Sequence, residues 1–344
     1  MKRWEIFPAW MRILQGYRPF LSVEVTQKCP LQCPGCYAKS EAHMNGKSLK
    51  RTEFQGDALV DGVLFLIRRH KPLHLSIVGG EPLLRQREMD ALLRRLDSMK
   101  MEVQVVTSAV RPIPASWAKL SNLHLVVSVD GLPAEHDSRR APASYERILN
   151  NVAGQKIIVH CVVLRSMLTT PDYLSEFAEF WSRRSETKKI WFSLYTPQKG
   201  EESQERLTAR ERALAIKSIA RARRDFPTVY APKVLLDGYR RPPSSPQECI
   251  FAQTTQCFAS DLFTAITPCQ LGGQPECFEC GCVASAGLAS IGRFKLAGLV
   301  KVGDIFRLSR RIGEIRNSRN RSKQLSEKNP VAWFQCDHFD LTDK

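Results

Sequence analysis

Between Leu21 and Tyr195 the chain alternates short apolar, β-branched runs with longer stretches of helical spacing, and repeated βα units on a parallel sheet are the architecture that accommodates this order. Six such units are legible, with strands predicted over 21–26, 73–78, 102–107, 123–129, 157–164 and 190–195. Helices are predicted near 55–69, 87–99, 114–120, 144–152 and 171–182, and Pro114 and Pro171 suit a first turn, where a missing N–H costs nothing. The strands read as nearly continuous hydrophobic runs, as expected of a parallel sheet covered on both faces. An α/β fold, a partial (β/α)6 TIM-like barrel, fits better than a sandwich. In such barrels ligands gather at the C-terminal ends of the strands, so chemistry is expected in the loops that follow them.

A further helix over 208–224 closes this region, and a turn-rich passage leads away from it through Phe226-Pro227, Ala231-Pro232 and Arg241-Pro242-Pro243-Ser244-Ser245-Pro246. The expected organisation is an amphipathic extension over 1–20, a barrel over 21–225 and a small cysteine-rich domain over 226–344. A chain of 344 residues with 43% hydrophobic and 25% charged residues supports a sizeable core and excludes disordered and collagen-like classes. No window offers the apolar length of a membrane-spanning helix, since even the run 59–67 is interrupted by Asp61. Residues 1–8 lack the apolar stretch of a secretory signal, which makes the cytoplasm the expected compartment. The formal charge of +16 implies attraction to an anionic counterpart: a phosphate-bearing substrate, nucleic acid, an acidic peptide, a membrane surface or an acidic redox protein.

Eleven cysteines in a reducing compartment point to metal or iron–sulfur ligation rather than disulfides. Three of them share one stretch, Cys29-Pro30-Leu31-Gln32-Cys33-Pro34-Gly35-Cys36-Tyr37, directly after the first predicted strand. Three thiolates can hold three irons of a [4Fe–4S] cube and leave the fourth open to a substrate or cofactor, just as an open position marks a catalytic metal site. Pro30 and Pro34 restrict this loop, and Gly35 permits its close turn. A four-ligand zinc knot completed by a distant cysteine is the alternative reading. After the second strand comes Val78-Gly79-Gly80-Glu81-Pro82, where paired glycines bare the backbone and Glu81 supplies a carboxylate; alone it also suits a plain β-to-α turn.

The cysteine spacing and its trailing aromatic resemble the cluster loop of radical S-adenosylmethionine (radical SAM) enzymes, and the Gly-Gly-Glu-Pro turn resembles their segment for the methionyl amino group of SAM. Val127-Ser128-Val129-Asp130-Gly131, with His136-Asp137 and Arg139, is similar to the fourth-strand passage of members that modify peptides. The resemblance implies a [4Fe–4S] cluster on Cys29, Cys33 and Cys36, with SAM contacted by Tyr37, Gly79, Gly80, Glu81, Pro82, Ser128 and Asp130. A capped turn with an Asp137–Arg139 surface pair is the structural alternative for the last of these segments. The third strand ends Val106-Thr107-Ser108-Ala109, a departure from the Thr-Asn-Gly common in relatives, and Arg165 is a further candidate for a SAM or substrate carboxylate. Cys161, mid-strand, reads as a buried structural thiol.

The remaining cysteines, Cys249, Cys257, Cys269, Cys277, Cys280, Cys282 and Cys336, all fall in the last third. This region resembles the SPASM and Twitch domains, which implies at least one auxiliary iron–sulfur cluster, taken here as 4Fe–4S; Cys257 to Thr267-Pro268-Cys269 is similar to their opening segment, and Val302-Gly303-Asp304-Ile305 with the following helix to their close. The 277–282 spacing departs from the SPASM arrangement, and zinc on Cys277, Cys280, Cys282 and one more ligand stays open. His338 is a further metal-ligand candidate, whereas His43, His70 and His74 read as solvated or packed. By resemblance, a flavodoxin or ferredoxin donates the electron, and the substrate is a ribosomally made peptide first, a lipid or small metabolite second. A basic tail including Arg293, Lys295, Arg307, Arg311, Arg319, Arg321 and Lys323 reads as a solvated helix face or a guide for an anionic partner. Trp4, Phe7, Trp10, Ile13 and Leu14 form an amphipathic stretch expected to pack beneath the barrel, with peripheral membrane contact as the other reading. A non-catalytic metal protein bound to nucleic acid is the rival class, but the chain lacks aromatic-basic interleaving, so no nucleic acid is expected.

Overall fold

The computed structural model describes residues 6–99, 101–296 and 298–327. In chain order the elements are α1 (Ile6–Leu14), β1 (Phe20–Glu24), α2 (Gly56–His70), β2 (His74–Val78), α3 (Gln86–Asp97), β3 (Glu102–Thr107) and β4 (Leu123–Ser128). Then follow α4 (Pro133–Arg140), α5 (Tyr145–Asn151), β5 (Ile157–Val163), α6 (Tyr173–Ser182), β6 (Thr187–Leu194), α7 (Ala209–Asp225) and α8 (Lys233–Arg240). The C-terminal part adds α9 (Ile250–Thr254), β7 (Thr255–Phe258), α10 (Val283–Arg293), β8 (Lys295–Leu296), β9 (Val300–Lys301) and α11 (Val302–Glu327).

The main sheet has seven strands in the order β6-β5-β4-β3-β2-β1-β7, and every neighbouring pair is parallel. Consecutive strands lie side by side because each intervening helix crosses back over one face, which is the open α/β form of a partial TIM barrel. The predicted six units hold, and β7 is the addition. Four residues from the expected second domain pair with β1, with Ser22 opposite Cys257. The two expected domains therefore share one sheet.

The strands are less uniformly apolar than their sequence suggested. Leu21, Val23, Leu75, Ile77, Val103, Val105, Leu125, Val127, Val159 and Phe192 pack into the large core. Alternate positions, of opposite direction by the two-residue period, hold Ser22, Glu24, Ser76, Gln104, Ser128, His160 and Ser193. One face of the sheet is thus covered by helices while the other carries polar groups toward the barrel interior.

One further departure is local. Residues 114–120 form a single 3-10 turn, Ala115–Lys119, because the chain must extend again by Leu120, and i to i+3 bonds close such a short connector more tightly. The N-terminal stretch precedes β1, and Arg18, between them, donates to the Thr255 carbonyl at the start of β7 at 2.9 Å. Helix α1 packs on α11, where the Trp10 indole donates to Ser309 Oγ at 2.8 Å and a Cβ on Gly313 would lie 2.0 Å from the Ile13 carbonyl. Trp4 and the side chains of Arg319, Arg321 and Lys323 fall outside the description.

Candidate functional site

The cysteine loop leaves the C-terminal end of β1 and is fastened on three sides. On the first, Gly80 N donates to the Thr26 carbonyl at 2.7 Å and Glu81 N to the Lys28 carbonyl at 2.9 Å, so the turn after β2 is zipped to the loop's entry. The two glycines are required by that approach: a Cβ on Gly79 would sit 2.6 Å from the Thr26 oxygen, and one on Gly80 only 2.2 Å from that of Lys28. Pro82 opens the 3-10 turn Pro82–Arg85, fixing the chain as it leaves.

The second fastening comes from α4, a short polar helix absent from the predicted elements. Arg139 donates to Asp130 Oδ2 at 3.0 Å, to both oxygens of Glu205 and, at 2.6 Å, to the Pro34 carbonyl inside the loop. Arg140 reaches the same Asp130 oxygen at 2.7 Å. Burial alone would raise the Asp130 pKa, but the two guanidiniums outweigh it and hold the carboxyl below its usual range. Asp130, predicted as a SAM contact, is thus directed to two arginines of its own chain, and Arg139 pairs with Asp130 and Glu205 rather than Asp137, which accepts from Tyr145 N. The third fastening is the loop after β6. A Cβ on Gly35, whose φ is +64°, would lie 2.9 Å from Glu205 Oε2 and 3.4 Å from the Tyr195 hydroxyl.

Within the loop, Cys29, Cys33 and Cys36 are free thiols, each partly accessible. Burial pushes Cys29 and Cys33 up, and each is raised further by charge on Cys36, so the three sulfurs share one neighbourhood. Arg140 lowers Cys33 and Lys39 lowers Cys29, the sense needed to hold thiolates. A donor set of three neighbouring thiols flanked by cations fits a cluster with one iron left open. Among the described residues no group of three or more His, Cys, Asp or Glu is close enough to hold a single metal ion.

Glu81, expected to contact SAM, is held by donors of its own chain. Its carboxylate is buried and accepts from Leu83 N at 2.9 Å, Ser108 N at 2.8 Å and the Thr107 and Ser108 hydroxyls. Four donors saturate a carboxylate. The side chain ties the end of β2 to the end of β3, which also gives Thr107 and Ser108 a use independent of the Thr-Asn-Gly pattern, and the backbone of the turn is what remains for a ligand. Ser128 ends β4 half-buried opposite His160. Tyr37 begins a 3-10 turn, its ring edge-on to His43 at 5.4 Å and its hydroxyl accepting from Gln270 at 3.4 Å. Arg165 is committed to Glu211 at 3.0 Å.

Residues 23–180 match the Radical SAM superfamily. That stretch is just under half of the chain, and it runs from the end of β1 through β5 and most of α6. Over 125 residues it is 32% identical to 7-carboxy-7-deazaguanine synthase of Hyperthermus butylicus, covering 35% of this chain and 49% of that protein. It is 30% identical over 125 residues to PqqA peptide cyclase of Granulibacter bethesdensis, covering 35% of this chain and 31% of that one. The chain thus spans half or less of the curated relatives it matches. Among solved structures, Streptococcus suis SuiB bound to precursor peptide SuiA superposes with a TM-score of 0.52 at 16% identity, covering 91% of this chain and 70% of that one. Native anSMEcpe with bound AdoMet and Cp18Cys peptide gives 0.54 at 15% identity, covering 74% of each chain. At these identities the likeness is one of fold.

Beyond the matched residues, six cysteines of the second set fall in one neighbourhood of the fold. Cys257 lies on β7, Cys249 caps α9, and Cys277, Cys280 and Cys282 precede α10. Burial pushes Cys257 and Cys282 up to about 12 and Cys277 to about 11, and it raises Cys249 and Cys269 as well. Cys269 also feels Cys282, Cys257 and Cys280, while Cys249 feels Cys280. The segment is pinned to the sheet: Gly281 N donates to Thr196 Oγ1 at 2.8 Å, Leu194 N to the Gly281 carbonyl at 3.0 Å, and Arg212 to the carbonyls of Glu279 and Cys280. Cys336 and His338 lie outside the described residues. Cys161 is buried, as expected of a structural thiol.

Arg139, Arg140 and Glu205 are the site residues that sequence reasoning missed in their present roles. The available signal was Pro133, a first-turn proline ahead of a polar helix. His43 was read as solvated or packed and is packed: buried, its Nε2 is 2.7 Å from Glu24 Oε1 and its Nδ1 3.0 Å from the Leu271 carbonyl.

Proposed function

We propose that this chain is a radical SAM enzyme that removes a hydrogen atom from a ribosomally synthesised peptide. The carrying observation is the meeting of three free thiols after β1 with the Gly79-Gly80-Glu81-Pro82 turn after β2, joined by two backbone hydrogen bonds. Cys29, Cys33 and Cys36 are the residues that would hold a [4Fe–4S] cluster. When bound with SAM, such a cluster supplies one-electron cleavage to methionine and a 5′-deoxyadenosyl radical, which takes a hydrogen from the substrate.

The chain's own part is positioning. Arg139 fixes the loop through the Pro34 carbonyl, Arg140 offsets negative charge beside Cys33, and Glu81 sets the spacing between the ends of β2 and β3. Tyr37, Ser128 and the backbone of the glycine turn are assigned to SAM, and the polar interior positions, His160 and Ser193 among them, to the substrate side. The Cys249–Cys282 group, with Cys336, is assigned to at least one auxiliary iron–sulfur cluster. Its pinning to the end of β6 supports a role beside the substrate.

The peptide assignment rests on the PqqA peptide cyclase match and on the peptides bound in the SuiB and anSMEcpe structures. A flavodoxin- or ferredoxin-type reductant in the cytoplasm is the assigned electron source, in keeping with the +16 charge. Anaerobic reconstitution with iron and sulfide, followed by dithionite and SAM, tests the enzyme reading: 5′-deoxyadenosine is expected, and its absence from fully loaded protein overturns the proposal.

A further inference from the structure

Fourteen large hydrophobic side chains are exposed among the described residues, and nine of them fall on α1, on the β8–β9 hairpin with the residue before it, and on α11 up to Ile315. On α1 they are Phe7, Trp10 and Met11, an i, i+3, i+4 stripe; on α11 they are Leu308, Ile312 and Ile315, an i, i+4, i+7 stripe. The helices lie side by side, and Trp10, bonded to Ser309, sits where the two stripes meet. The hairpin leading into α11 and the residue before it add Phe294 at 63% exposure and Leu299, at the turn, at 84%. Scattered apolar residues need no explanation, but three adjoining elements that turn their apolar side chains outward do.

The charge around this face is one-sided. Residues 293–316 hold seven Lys and Arg against Asp304 and Glu314, and both acids are already paired, with Arg307 and Arg310. An apolar stripe containing Trp and Phe, bordered by arginine and lysine, matches the chemistry of the boundary between lipid headgroups and acyl chains. No helix of the described residues is long and apolar enough to cross a membrane, so contact would be along the surface.

We infer that the face formed by α1, the β8–β9 hairpin and α11 docks on an anionic lipid bilayer, its apolar side chains entering the interface and its cations meeting headgroup phosphates. This holds whatever the substrate is and needs no cluster. The test is co-sedimentation of the full chain with vesicles of phosphatidylcholine alone and of phosphatidylcholine mixed with phosphatidylglycerol. Binding is expected to the mixed vesicles, to weaken with added salt, and to blue-shift a tryptophan emission component that Trp10→Phe lacks. Leu299→Glu and Ile312→Glu, both at exposed positions and with folding checked by circular dichroism, should each weaken binding by about tenfold or more. Failure to bind the mixed vesicles, binding by both glutamate variants as tight as that of the unsubstituted chain, or a dimer broken by these substitutions without vesicle binding would each overturn the inference.

Discussion

At Asp130 a single carboxylate oxygen receives both Arg139 and Arg140, and the group is buried. Replacing Asp130 by Asn leaves two largely buried guanidiniums short of their counter-charge, and removal of one partner from a buried ion pair costs about 3–5 kcal/mol. Asp130→Asn should lose stability of that order in urea titration and load less iron on reconstitution, since Arg139 also holds Pro34; unchanged values for both would refute the clamp. His43 makes a pH prediction. Burial alone would lower its pKa, but the Glu24 carboxylate and the Leu271 carbonyl outweigh this and raise it above the ordinary 6.5. A raised folded pKa contributes stability that is present below about pH 6.5 and lost as pH rises through the folded value. The denaturation midpoint should fall over that rise, and His43→Gln should flatten it. At this scale the thiols and glycines were legible because their spacing and backbone freedom are properties of the local chain. The commitments of Glu81, Asp130 and Arg165 were not, because their partners lie 27, 10 and 46 positions away.

The cysteine-rich segment depends on one close approach to β6. A Cβ on Gly281 would lie 2.0 Å from the Leu194 carbonyl, a backbone atom that cannot swing aside. Gly281→Ala should therefore destabilise by about 1–3 kcal/mol, as overpacking does, and release iron from the auxiliary site before the site on the cysteine loop. Equal loss from both would contradict the assignment of this segment to a separate site. Element identity was legible where apolar periodicity was strong, as in β1 to β6, α2, α3 and α7. It failed for α4, whose eight residues are mostly polar, and for β7, where Thr255-Gln256-Cys257-Phe258 is too short and too polar to announce a strand.

In the whole molecule the seventh strand couples the two halves of the chain. β7 covers the outer edge of β1, the strand from which the cysteine loop emerges. A chain ending at residue 225 would leave that edge unpaired, an invitation to aggregation. It should be less soluble than the full chain and bind less iron at the first site; a soluble monomer with normal loading would show the barrel to be independent. The sheet's order was legible from the βα repeat, whereas its closure by β7 depends on contacts more than 200 residues apart in sequence. The central claim is a cluster with one iron free for SAM, and electron paramagnetic resonance tests it most directly, on the reconstituted, dithionite-reduced full chain before and after SAM is added. The account predicts a [4Fe–4S] signal of which one component shifts with SAM and is missing from Cys33→Ala, while any auxiliary component stays. A signal indifferent to SAM, or zinc in place of iron, would contradict it.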